Sequence, residues 1–163
     1  ASDPAQSEVN RDVAQHFAQI RGGMPVAYPV ISDVEFAQKK LQFERTHSLF
    51  LVGNAASNRV VREMESGFPI RVVGDAIATS KETFRGEEVG AAFIYPHPTN
   101  PARYVAVVEG ATVLGTLRAL SLPELMPDFM IYDRNVGSAR GQQVLGPASA
   151  LSAGFFTNEW KTP

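Results

Sequence analysis

Apolar side chains recur every three or four residues near the start of the chain and predict a helix. They are Val9, Val13, Phe17 and Ile20. The pattern ends at the glycine pair of residues 22–23, and a second helix is predicted to extend to about residue 41, with Asp33 as its cap. Residues 1–47 are therefore expected to form a helical segment that packs on the rest of the chain.

A continuous apolar run follows at residues 49–52, and it is typical of a strand buried on both faces. After a turn, a short amphipathic stretch predicts a helix that ends at Gly67. The next apolar run, residues 69–73, predicts another strand. Together these elements predict a β-α-β unit whose two strands are parallel and joined by a right-handed crossover.

The remaining chain continues to alternate between strand-like and helix-like patterns. It predicts a hairpin at 76–79 and 83–84, strands at 91–95, 104–108 and 129–133, a helix at 112–120, a loop at 134–149 and an edge strand at 150–156. Residues 48–163 are therefore expected to form an α/β fold, in one domain overall with the helical segment. The expected architecture is a three-layer sandwich, either Rossmann-like or flavodoxin-like. Its mixed sheet is expected to be mainly parallel, with antiparallel pieces around residues 76–108.

Composition narrows the function classes. The chain has 163 residues, a net charge of −2 and no cysteine. Disulfides and thiol catalysis are excluded, and no basic surface points to a nucleic acid. No apolar run is long enough to span a membrane, and the histidine spacing predicts neither a metal site nor a cofactor. The start at Ala1, without methionine, suggests a processed chain or a fragment.

The turn after the first predicted strand is a candidate binding site. Gly53, Asn54, Ser57 and Asn58 lie where a strand end meets a helix start, a place that attracts anions. The spacing lacks the lysine of a phosphate-binding loop and the repeated glycines of a dinucleotide site. The alternative is a turn glycine followed by a polar helix cap, from Ser57 or Asn58. Neither Ser57 nor Ser138 has the flanking glycines of a hydrolase nucleophile.

A proline-rich connector, residues 96–101, is the second candidate. It holds His97 and Asn100 between two predicted strands, and its prolines are expected to stop both strands. It is either a binding loop that presents these two side chains or a rigid, hairpin-like link.

The connector lies within a longer pattern. "GEEVGAAFIYPHPTNPARYVAVVEG" at 86–110, "LFLVGNAASN" at 49–58, "PDFMIYD" at 127–133 and "SAGFFTNEWK" at 152–161 carry it. These segments resemble a carboxyl-terminal module of bacterial secreted esterases and prolyl-oligopeptidase-like serine peptidases. The resemblance implies a non-catalytic accessory domain, secreted or periplasmic, whose partner is the α/β-hydrolase catalytic domain of the same chain. It assigns no catalytic residue here, and oligomerisation stays open.

Three functional hypotheses follow. An accessory domain that packs on a catalytic domain or shapes substrate access should expose an apolar patch. A stand-alone module for a small ligand or anion should have a binding pocket at the strand ends, with residues 53–58 and the connector together forming one rim of that pocket. A small enzyme would use His97 or Asp133 as a base.

Overall fold

The structure, a computed structural model, describes residues 3–19, 28–123, 126–137 and 150–163. Its helices are α1 (Pro4–Ala18), α2 (Asp33–Gln38), α3 (Lys40–Thr46), α4 (Arg59–Met64) and α5 (Val113–Arg118), with short 3-10 turns at Glu65–Gly67 and Ala119–Ser121. Its strands are β1 (Leu49–Val52), β2 (Arg71–Val73), β3 (Ala76–Ala78), β4 (Thr83–Arg85), β5 (Gly90–His97), β6 (Asn100–Gly110), β7 (Phe129–Tyr132) and β8 (Ser152–Gly154). The chain therefore has an α/β fold. The predicted glycine stop after the first helix and most of the predicted loop at 134–149 lie outside the described residues.

Five strands form the main sheet in the order β1-β6-β5-β7-β8. Within the described ranges, β1 and β6 are its one parallel pair, and every other pair is antiparallel. The prediction of a mainly parallel sheet is therefore wrong. The reason is the two-residue connection between β5 and β6, which is too short for a parallel crossover and makes these neighbours a hairpin.

The predicted β-α-β unit is also wrong, because β2 leaves the main sheet. It joins β3 and β4 in a separate three-stranded antiparallel sheet. Its residues alternate between exposed and half-buried, a pattern that suits one solvated face and not the middle of a doubly covered sheet. A turn with Gly74 at φ +62° places Val73 opposite Ala76, so local pairing wins over pairing with β1.

The helices near the start of the chain follow the prediction with changed ends. α1 begins at Pro4, because the Asp3 carboxylate caps it by accepting from the backbone N–H of Ala5 at 2.9 Å. The second predicted helix divides at Lys39 into α2 and α3. Its cap is Ser32 and not Asp33.

Both faces of the main sheet carry a hydrophobic core. The face that we call the α1 face holds Val52, Ala92, Val108, Met130 and Tyr132, which pack with Val13 of α1. The opposite face, called the α4 face, holds Leu51, Ala91, Phe93, Val105, Val107 and Ile131, which pack with side chains of α2, α4 and the small sheet.

The first strand departs from its prediction on one face. Leu51 and Val52 are buried, but Phe50 is 47% exposed. Phe50 has the same strand parity as Val52 and therefore lies on the α1 face. Phe17 in the last turn of α1 contacts its ring, with centroids 5.1 Å apart, and leaves nearly half of the residue exposed. The hairpin of β3 and β4 and the edge position of β8 agree with their predictions.

Candidate functional site

Gly53 continues the parallel ladder beyond the end of β1. Its backbone N–H donates to the Val108 carbonyl at 2.8 Å, and its φ of +100° is a conformation that favours glycine. A Cβ atom here would lie 2.3 Å from Nδ2 of Asn10 and 2.6 Å from Oγ of Ser57. The space above the turn is therefore filled by other side chains of the same chain.

Two asparagines of the turn use their amides inside the protein. Asn54 is 9% exposed, donates to the Gly110 carbonyl at 3.0 Å and accepts from the backbone N–H of Ser57 at 3.2 Å. Asn58 donates to the Val52 carbonyl at 2.9 Å. Its Oδ1 caps α4 by accepting from Val60 N and Val61 N, at 2.9 and 3.3 Å. Both side chains therefore tie the turn to the sheet and the helix.

A polar network from α1 covers this turn. Gln6 Nε2 donates to Oδ1 of Asn10 at 2.8 Å and to Oγ1 of Thr116 at 3.1 Å. Asn10 Nδ2 donates to Oγ of Ser57 at 3.1 Å. Sequence analysis missed Gln6 and Asn10, although both continue the helical spacing of Val13 toward the start of α1. The predicted turn residues are thus brought together. α1 contacts the Ser57 hydroxyl, while Asn54 and Asn58 bond within the turn, to the sheet and to α4.

Replacing Asn58 by alanine is expected to lower the free energy of unfolding by about 1–2 kcal/mol. The change removes the cap of α4 and leaves the Val52 carbonyl without its side-chain donor. Asn58→Asp is the matched comparison, because it keeps the capping oxygen and replaces the donor by a charged oxygen that faces the Val52 carbonyl. Urea denaturation measures both variants. An unchanged midpoint for Asn58→Ala would show that the cap contributes nothing.

The connector is a continuation of the hairpin and not a break in it. Pro96 lies within β5 and Pro101 within β6, so the expectation that prolines stop these strands is wrong. β7 pairs with β5 only up to Phe93, and the register shifts between Pro96 and His97. Proline is tolerated where no neighbouring strand needs its missing N–H and next to such an irregularity. The hairpin-like alternative is the one that the structure has.

His97 and Asn100 face into this hairpin. His97 is 1% exposed, and its Nδ1 accepts from the backbone N–H of Thr99 at 3.3 Å. Burial lowers the pKa of His97 below its ordinary value, and the nearby Glu44 carboxylate opposes that change. Asn100 donates to the backbone carbonyl of Glu44 at 2.7 Å, which holds α3 against the hairpin.

The two predicted binding regions do not meet. The turn adjoins Val108 near the end of β6, whereas Asn100 begins that strand. An extended strand rises about 3.3 Å per residue, so the regions lie roughly 26 Å apart. The single rim expected from residues 53–58 and the connector is therefore wrong.

Two buried groups were missed by the sequence analysis. Glu109 is 2% exposed, and burial, assisted by the Glu65 carboxylate, raises its pKa to about 8. Tyr132 is fully buried. Its pKa is raised chiefly by burial and, to a smaller extent, by the charge of Glu109. Among the described residues, neither Oε1 of Glu109 nor the Tyr132 hydroxyl has a hydrogen-bond partner. The available signal was one acidic residue inside the apolar run of β6.

The described residues contain no arrangement for nucleophilic catalysis around Ser57. Its hydroxyl contacts the amides of Asn10 and Asn54, at 3.1 and 3.2 Å. Asp133 accepts from the backbone and side chain of Asn135, which stabilises a turn after β7. A triad needs a base within hydrogen-bonding reach of the nucleophile.

No group of three or more potential metal ligands occurs in the part of the chain that the structure describes. Over the same residues, no helix is long and apolar enough to cross a membrane. Comparison with protein-family models, curated proteins and solved structures gives no match for this chain. Its function is therefore argued from the chain's own residues.

Proposed function

We propose that this chain is a non-catalytic accessory domain of a larger secreted serine hydrolase, an esterase or a peptidase. The proposal rests on the resemblance of residues 86–161 and on one observation, an exposed apolar row across the α1 face. According to this proposal, the domain packs on an α/β-hydrolase catalytic domain of the same, longer chain, and the protein is secreted or periplasmic. The finer architecture that we propose is a three-layer sandwich, supported by cores on both faces of the main sheet.

The exposed row consists of Phe50, Ala106, Ile94 and Tyr104. Phe50 and Ile94 lie opposite Ala106 from its two sides, so three neighbouring strands contribute to one line. Phe50, Tyr104 and Ile94 are 47%, 45% and 38% exposed. Large apolar side chains that are adjacent and exposed on a regular sheet favour a packing surface.

The same observations weaken the alternative of a stand-alone module for a small ligand or anion. The amides of Asn54 and Asn58 already bond to backbone groups. A ligand at this turn would have to displace those contacts. The exposed row needs no rearrangement to accept a partner.

Fluorophosphonate labelling of an extract from the native source tests the proposal. An antibody against this chain should capture a labelled protein much heavier than the 17.7 kDa of this sequence. A heat-denatured extract is the control, because labelling requires an active serine. An unlabelled protein of about this chain's own mass would overturn the proposal.

The surface is tested by Ile94→Glu in the captured parent protein. A charge in the exposed row should weaken packing between the domains and speed proteolytic cleavage between them several-fold. Leu41→Glu is the matched control, because Leu41 is 78% exposed on α3 and lies outside the row. Equal cleavage rates for both variants would show that the exposed row takes no part in packing between the domains.

A further inference from the structure

An open cavity of about 430 Å³ is formed mainly by residues near the carboxyl-terminal end of the chain. Its lining consists of Asp128, Phe156, Thr157, Asn158 and Trp160. The lining combines two aromatic rings, a carboxylate, an amide and a hydroxyl. Cavities that combine apolar walls with a few polar groups are typical of small-molecule sites.

The loop that presents Trp160 is closed by Thr157. The backbone N–H of Thr157 donates to the Lys161 carbonyl at 2.9 Å, and Trp160 N donates to the Thr157 carbonyl at 2.8 Å. The Thr157 hydroxyl accepts from Glu159 N and Lys161 N, at 3.3 and 3.2 Å. These contacts hold Trp160 at φ +59°, a conformation that bulky residues rarely adopt.

Aromatic neighbours support the indole ring. Its centroid lies 5.8 Å from Tyr95, 5.7 Å from Tyr104 and 6.1 Å from Phe156. These separations are typical of packed aromatic pairs. Trp160 is therefore a fixed wall of the cavity, already oriented before any ligand arrives.

Asp128 supplies the charge of the cavity. Its Oδ2 accepts from the backbone N–H of Phe156 at 3.1 Å, which orients the carboxylate. Within the described residues Asp128 has no ion-pair partner, while nearby Lys161 is paired with Glu159 at 2.6 Å. A carboxylate has more acceptor positions than this one bond uses. The cavity wall is thus negative overall and repels anions.

We propose that this cavity binds an organic cation, with an ammonium group that contacts the aromatic lining of Trp160 and Phe156 on one side and the carboxylate of Asp128 on the other. Aromatic faces attract cations through the ring quadrupole, and indole does so most strongly. The carboxylate adds a full opposite charge at the same place. The assignment goes beyond the accessory-domain function, because it concerns a small ligand and not a packing surface. The cavity adjoins the exposed row, since Tyr104 packs on Trp160 and the Asp128 carbonyl accepts from Ile94 N at 2.9 Å.

Trp160 is the single tryptophan of the chain, so its fluorescence reports directly on the cavity. Choline and its neutral isostere 3,3-dimethylbutanol are the probes, since they share shape and differ in charge. We expect choline to change the emission with a dissociation constant on the order of 1 mM. The isostere should bind at least about tenfold more weakly, as expected for loss of a cation–aromatic contact and an ionic attraction.

Asp128→Asn identifies the carboxylate as the source of this selectivity. Asparagine retains an oxygen that can accept from Phe156 N, and circular dichroism checks that the variant is folded. Choline affinity should fall by up to about tenfold. It should stay above that of the isostere, because choline keeps its cation–aromatic contact in this variant. Asp12→Asn is the matched control, because Asp12 is exposed on α1 and distant in the fold.

Three results would overturn the proposal. The first is equal affinity of the wild-type chain for choline and its isostere. The second is the absence of a saturable choline response up to about 100 mM, roughly a hundred times the expected dissociation constant. The third is unchanged choline affinity in a folded Asp128→Asn variant. If that variant does not fold, the comparison of the two probes on the wild-type chain decides alone.

Discussion

Replacing Gly115 by alanine is expected to lower the free energy of unfolding by about 3 kcal/mol. Gly115 lies inside α5, where helix propensity alone predicts that alanine stabilises the protein by about 1 kcal/mol. Packing opposes this gain, because the new Cβ would lie 2.2 Å from the Val89 carbonyl oxygen. That carbonyl accepts from Ala111 N at 3.0 Å and therefore has little freedom to move. The steric cost of the new Cβ should therefore exceed the gain in helix propensity, and the variant should be less stable than the wild type.

Gly67→Ala is the matched control for this prediction. A Cβ at Gly67 would contact Pro98 at 3.5 Å, an ordinary van der Waals distance. Alanine there should leave stability unchanged or raise it by up to about 1 kcal/mol. Guanidinium denaturation at one pH compares both variants with the wild type. If Gly115→Ala is as stable as the wild type, the close approach of α5 to β6 and the Val89 carbonyl is not part of the fold.

Replacing Glu109 by glutamine is expected to make the protein more stable near pH 8 and to reduce its pH dependence. The pKa of Glu109 rises from an ordinary 4.5 to about 8 in the folded chain, chiefly through burial. Below pH 4.5 the carboxyl is protonated in both the folded and the unfolded chain, so its titration does not change the free energy of unfolding. Between pH 4.5 and 8 the unfolded chain releases the proton more readily, so the free energy of unfolding falls as the pH rises.

The size of this effect follows from the same shift. At pH 7 the penalty is about 3 kcal/mol, from about 2.5 pH units above the unfolded value at 1.36 kcal/mol each. Glutamine carries no charge at any pH and avoids this penalty. We expect the wild type and Glu109→Gln to be closest in stability near pH 4.5 and to diverge as the pH rises.

The control for Glu109→Gln is Glu8→Gln, which changes an exposed glutamate on α1. Urea denaturation from pH 4.5 to pH 8.5 should give parallel curves for Glu8→Gln and the wild type. If the Glu109→Gln curve also ran parallel to the wild type, the Glu109 carboxyl would be ionised in the folded chain, and its burial would carry no proton linkage.

The predicted turn site shows how far local reasoning extends. A glycine turn at Gly53 and a polar cap for α4 were both expected, because φ preferences and capping act within a few residues. The structure selects Asn58 over Ser57 as the cap. The contact between Asn10 and Ser57 joins residues 47 positions apart and has no local signal. The same holds for the loop that places Trp160 beside Asp128. The burial of Glu109 had one local signal, its position inside the apolar run of β6.

The sequence by itself determined the apolar periodicity, and with it nearly every helix and strand, the hairpin of β3 and β4 and the α/β class. Those features depend on backbone preference and on the face that each segment buries. Only the tertiary structure decided which strands pair. β6 lies between β1 and β5, and β2 belongs to another sheet, because pairing depends on connection length and on what covers each face. The exposed row and the cavity at Trp160 arise from that choice, since both join residues from strands or loops that are distant along the chain.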